Sequence, residues 1–390
     1  MTTNIERRIA RRVASVVAAS ALAAGTLGSL ASSARATTTS SCRATNRTTL
    51  VTSRDLHLSI SAASSGDTIQ VEGVCVGTFV IDKDLLLIGR GTTNVPLATL
   101  DGANSGVVVQ VEGVKVSFRN LLITHGATPA SGGGYGGGIQ GWGTLTLWGN
   151  TKVDHNTNKG AGGGINFHGR VGLHDFAQVN DNTSGYLGGG IANSGKLTTL
   201  SNSAQVNNNA SAENGGGIWG RNITLNGHAQ VDHNTAGHWG GGIANGVVTL
   251  NGSAQVDYNR AVGEGGGIAG SVTLNGSAQV DYNAAGGDGG GILPLYPGYS
   301  VVLSGASQVN NNTAGGNGGG ITWYGAEPDG SVTLKDSSSV TGNTAEGSGG
   351  GIFGQGGVLA ACDGTGIDQW TGAISPNTPD DPPAVPPIAC

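Results

Sequence analysis

The 390-residue chain reads as an all-β protein, a parallel β-helix opened by a short capping helix. Three observations predict this. A unit of Leu, Val, Asn and Ile returns eight times, from Leu147, Val153, Asn156 and Ile165 to Leu334, Val340, Asn343 and Ile352, with no slip in internal spacing. Length varies only between one Ile and the next Leu, from 6 residues (Ile268 to Leu274) to 13 (Ile321 to Leu334). Each unit is built from Gly, Asn, Ser, Thr and Val, modest or poor helix formers, which excludes helical repeats. A chain that fixes three apolar points and one Asn per unit stacks like coils, about 4.8 Å apart.

The elements follow in chain order. Residues 1–36 read as a secretory signal, with Arg7, Arg8, Arg11 and Arg12 as its charged start. An apolar run over 13–30 and the cleavage site Ala34-Arg35-Ala36 complete it. Residues 37–130 hold the cap and first coils, 131–360 the repetitive coils, and 361–390 a Pro-rich tail. In the cap, Ser53 is expected to start an amphipathic helix through Leu56 and Ile60 that ends near Gly66 and covers the open end of the stack. At least eleven coils are expected. In each, Leu, Val and Ile point inward. The Asn sits at a turn, where it tolerates a left-handed backbone and its amide bonds to the copies above and below. The glycine triplet forms a corner too tight for a Cβ.

Charge narrows the partners. Cleaving 1–36 removes five Arg and one Glu from 19 basic and 25 acidic residues, leaving 14 and 24, a net of −10. Nucleic acid and anionic membrane surfaces both demand a basic footprint and are excluded. No second apolar segment of about 18 residues follows the signal, so stable membrane insertion is not expected. Four cysteines in an exported chain predict two disulfides, Cys42–Cys75 and Cys362–Cys390, clamping the two ends.

The repeat from Val309 to Ile321, with Asn312 and the Gly318-Gly-Gly-Ile321 corner, resembles the repeats of the polymorphic outer-membrane protein family. Ser65-Gly-Asp-Thr-Ile69 and Phe118-Arg-Asn-Leu-Leu-Ile-Thr-His-Gly126 resemble opening coils of the pectate-lyase-like superfamily. The resemblance spans residues 50–355 and implies a right-handed coil. That superfamily holds lyases, hydrolases, epimerases and adhesins, so fold is implied more strongly than activity. A C-terminal barrel like that of the outer-membrane adhesins is not expected from these residues, and self-anchoring is therefore not implied.

Aligned on Asn, each position becomes a column up the stack. Five residues after Asn stand Trp239, Glu264 and Asp288 on successive coils. Two carboxylates one coil apart should push one pKa upward and give an acid with a base or nucleophile, the pairing of retaining glycoside hydrolysis. Trp239 offers a sugar-stacking plane, with His238 and Glu213 beside it and Trp219 as a further platform. Insertions after Ile292 and Ile321 are placed to overhang this region. One residue after Val, Asp232, Asp257 and Asp281 should point outward in a line, a candidate Ca²⁺ stripe and the sole cofactor suggested. The residue between that column and Asn, including His155, His233, Tyr258 and Tyr282, is expected to pack near the turn.

Regularity favours a secreted, non-catalytic protein that binds an extracellular or cell-surface polymer, with polysaccharide the expected partner. The alternative is a polysaccharide-cleaving enzyme, a glycoside hydrolase or lyase, using Glu264 and Asp288.

Overall fold

Backbone hydrogen bonds in an extended chain must leave the strand, and in this chain they go to the coil above and the coil below. In the computed structural model, residues 41–128, 136–296, 298–324 and 331–355 are described, together with the backbone of the strand Val358–Cys362. The described part is a parallel β-solenoid of about nine turns, almost wholly β, with one helix. Among the described residues no helix is long and apolar enough to cross a membrane.

Every turn visits three sheets. The Ile and Leu segments of each unit pair in register up one long sheet, as in Ile243↔Ile268 and Leu250↔Leu274. The Val segment forms a second face, continued by single Gln-to-Gln bridges from Gln178 to Gln308. Two-residue strands such as Thr235–Ala236 and Arg260–Ala261 form a third sheet of nine strands. That sheet counts the nine complete turns. The early strands Thr68–Glu72 and Leu85–Arg90 extend the long sheet without a partner in the third, so the expected eleven coils included incomplete ones.

The apolar sets lie inside as expected. All eight Leu, all eight Val and seven Ile are buried, and only Ile352 of the last described turn is partly covered. At roughly 25 cal/mol per Å² this continuous core is the main favourable term of the stack.

The Asn column is a ladder. Oδ1 of each Asn accepts the side-chain amide of the Asn one coil earlier at 3.0–3.1 Å, from Asn156–Asn182 through Asn312–Asn343. It also accepts that residue's backbone N–H at 2.8–3.0 Å. All eight are at most 1% exposed. One expectation is corrected: the Asn are not left-handed. The residue before each is, with φ of 54–58° at His155, Asp181, Asn208, His233, Tyr258, Tyr282 and Asn311. Asn is required for its amide, and the strained backbone is carried by whatever precedes it. The glycine corner needs both properties of glycine. Gly240 has φ +64, and a Cβ on Gly241 would stand 2.4 Å from the carbonyl oxygen of Gly266.

At the N-terminal end, strand β1 (Arg43–Asn46) runs antiparallel to both β2 (Thr52–Ser53) and β3 (Thr68–Glu72). The Cys42–Cys75 disulfide forms as expected. The second expected disulfide, Cys362–Cys390, falls on the Cys362 side chain and on Cys390, which lie outside what is described. Helix α1 (Leu56–Ala62) buries Leu56 and Ile60 and packs on β1 and on the strand Phe79–Ile81. Its cap is Asp55, which accepts the N–H of His57 at 2.8 Å; Ser53 instead accepts the N–H of Asp55. The helix therefore starts two residues later than the expected Ser53 cap implied.

Two predictions test this core. Asn259→Leu removes the acceptor of the Asn234 backbone and amide, and the donor to Val231. It should lower stability by about 1–3 kcal/mol, read as a fall in Tm. In the third sheet the hydroxyls of Ser184 and Ser211 are buried without a partner, where later coils hold Ala236, Ala261 and Ala285. Ser211→Ala should leave Tm unchanged or raise it by up to about 1 kcal/mol of stability, and a clear fall would show that the hydroxyl is satisfied.

Candidate functional site

Column five stacks as its spacing implies. The carbonyl of Trp239 accepts from Gly215, that of Glu264 from Gly240 and that of Asp288 from Gly265, at 2.9–3.1 Å. Glu264 and Asp288 therefore occupy adjacent coils on one edge, both half-buried. Burial pushes the Glu264 carboxyl up; the Asp288 charge adds to this and His238 opposes it.

The insertions finish the site. The chain after Ile292 folds over the edge, and Trp239, Glu264, Leu293, Pro294, Leu295, Tyr296 and Tyr324 enclose a cleft of about 170 Å³. Tyr324 follows the next Ile and donates its hydroxyl to Asp288 Oδ2 through a short hydrogen bond. Asp288 Oδ1 accepts the backbone N–H of Asn317 at 2.5 Å. One oxygen of Asp288 thus holds the overhang through Tyr324 and the other the next coil of its own column through Asn317. Burial, then the bond to Asp288 and its charge, raise the Tyr324 phenol to about 12, so it stays a donor.

The structure divides the other expected site residues. His238 stacks on Trp239 with ring centroids 4.5 Å apart and is exposed. Glu213 lies one coil earlier, its carbonyl accepting from His238 at 2.8 Å, and it does not line the cleft. Trp219 belongs elsewhere. With Trp142, Gln140, Asn166, His168 and Ser194 it lines a second cleft of about 390 Å³ over small residues of the long sheet. Through the register Trp219↔Ala244↔Ala269↔Leu293 the two clefts sit on the same edge, three coils or about 14 Å apart.

The aspartate stripe is corrected. Asp257 and Asp281 are 8% and 7% exposed, not outward in solvent. Each turns its Oδ1 to the next coil: Asp232 to the N–H of Asp257, Asp257 to Asp281, Asp281 to Asn310, at 2.7–3.2 Å. Among the described residues no three His, Cys, Asp or Glu are placed to hold a metal ion. Burial lifts Asp232 and Asp281 to about 6 and Asp257 to about 7. The neighbouring turn column is likewise corrected: His233, Tyr258 and Tyr282 are exposed, and they stack on one another at 5.1 and 5.0 Å.

No family model, curated protein or solved structure matches the chain. The parallel solenoid stands on its own hydrogen-bond register.

The raised aspartates give a pH prediction. A carboxyl with a folded pKa above its unfolded value binds extra protons when folded. The stack should therefore gain stability as pH falls from about 7 to about 4, the ordinary aspartate range, and lose it as pH rises through 6 to 7. Asp257→Asn keeps the Oδ1 acceptor, as Asn180 and Asn207 do in the same column. It should raise stability at about pH 8 by on the order of 1–2 kcal/mol, with the gain shrinking as pH falls and vanishing only below about pH 4. Thermal melts across that range check it.

Proposed function

We propose that this is an exported solenoid that binds a polysaccharide along one edge, without cleaving it. The observation that carries the reading is the pair of tryptophan-lined clefts on that edge, Trp142 with Trp219 and Trp239 with Tyr296 and Tyr324. Aromatic planes beside a few polar groups suit sugar rings, which present an apolar face and a hydroxyl rim. Two such subsites on a rigid scaffold let one extended chain engage both, with a gain in avidity over either. The signal-like residues 1–36 and the resemblance to pectate-lyase-like opening coils agree with a polymer outside the cell.

The alternative, hydrolysis, draws on Glu264: its raised pKa beside Asp288 is what a general acid needs. Against it, Asp288 accepts from the Tyr324 hydroxyl and the Asn317 N–H, and these bonds stabilise its charge and weaken it as a base or nucleophile.

Incubation with a panel of neutral and acidic polysaccharides, scored for retention and for new reducing ends, separates the two. Retention without new ends is expected. Trp239→Ala should weaken retention roughly tenfold, while Glu264→Gln should alter it little. New reducing ends that vanish in Glu264→Gln would replace binding with hydrolysis.

A further inference from the structure

A third cleft lies away from both aromatic sites, at the N-terminal end, and is larger at about 600 Å³. It is lined by Arg43, Arg47, Arg90 and Glu72 among a set of threonines and Gln70. The fold brings these together by register. Arg43 on β1 faces Glu72 on β3, and Glu72 faces Arg90 on the next parallel strand, so three charged residues form one row across three strands. Two residues along the same strands, Thr52, Thr45 and Gln70 form a second row on the same face. The loop Gly91 to Thr93 closes one side.

The charges in this cleft do not cancel. Glu72 Oε1 accepts from Gln70 at 2.7 Å and lies 3.5 Å from the Arg90 guanidinium. Among the described residues no carboxylate lies within ion-pair distance of Arg43 or Arg47. Three guanidiniums and one carboxylate leave a positive cleft on a chain whose overall charge is negative. A fixed guanidinium fork matches the two oxygens of a carboxylate or phosphate, and the threonine hydroxyls and Gln70 amide suit the neutral oxygens of the same ligand. We infer that this cleft is an oxyanion-binding site, for a ligand that joins carboxylate or phosphate groups to a hydroxyl-rich body. It is independent of the aromatic edge and of the polysaccharide reading built on that edge.

The test uses the mature chain with two probes, oligogalacturonate and inorganic phosphate, by calorimetry at low and at high salt. Binding of at least one probe that weakens with salt is expected, and which one binds identifies the source of the oxyanion. The double variant Arg43→Ala with Arg47→Ala should weaken binding by about tenfold or more. The lysine counterparts should restore part of it, since they keep charge but lose the fork. Glu72→Gln should tighten binding by removing the one opposing charge. Both arginines are exposed, and an unchanged melt will show that the variants are folded. Failure of both probes to bind at low salt, or alanine variants that bind like the parent, would overturn the inference. Neither result would touch retention of polysaccharide at Trp239.

Discussion

A step of about 4.8 Å between coils is the constraint on which everything else depends. At that spacing a side chain in the interior meets chiefly its own counterpart above and below. An apolar residue is content with this. A buried polar residue survives only if it is both donor and acceptor, so that copies satisfy one another, and a primary amide is the side chain that does so. The Asn column, the Gln205–Gln230–Gln255–Gln279 row and the Asn226–Asn251–Asn275 turn are three solutions to the same problem. The aspartates of the Val face are a fourth and less comfortable one. Their oxygens accept the next coil's N–H, but they have no hydrogen to give back unless protonated, and burial favours that.

Much of this architecture was legible because spacing encodes register. Buried Leu, Val and Ile, the Asn ladder, the Cβ-free corner and the adjacency of Glu264 to Asp288 all follow from counting along the repeat. What the count could not supply was direction. The aspartates occupy an outward position by strand alternation, yet the strand there gives way to a left-handed residue, and the side chain turns along the stack to serve an N–H that the backbone leaves open. Trp219 was grouped with Trp239 as a further aromatic platform. Each cleft takes residues from both columns, Ala161 with Trp219 in one and Leu293 with Trp239 in the other, so position along the stack decides which tryptophan joins which cleft. Tyr324 and Tyr296 belong to the insertions expected to overhang the site, but they could not be singled out because they fall in the stretch where length varies and no column fixes direction. The arginine cleft was hidden for a similar reason: it is built from the irregular first strands, before any repeat begins.

The sites therefore sit where the rule is broken. Regular coils offer repeating rows with little depth. Depth comes from the longer connections after Ile292 and Ile321, and from small residues placed beside Trp142 and Trp219. Asp288 illustrates the exchange. By position it is half of a carboxylate pair, but it is committed to Tyr324 and Asn317 and so fixes the wall of the cleft that Glu264 looks into.

The ladder also has a polarity. Each Asn-to-Asn link donates toward the C-terminal coil and accepts from the N-terminal one, and no link refers to a particular coil's identity. A gene encoding such a chain can lose or duplicate one whole unit and rejoin donor to acceptor without a seam. A single-residue insertion between Leu and Ile instead throws an entire turn out of step. Over evolutionary time the length of this molecule is free to change in quanta of one repeat, while the interior of each quantum is held nearly still.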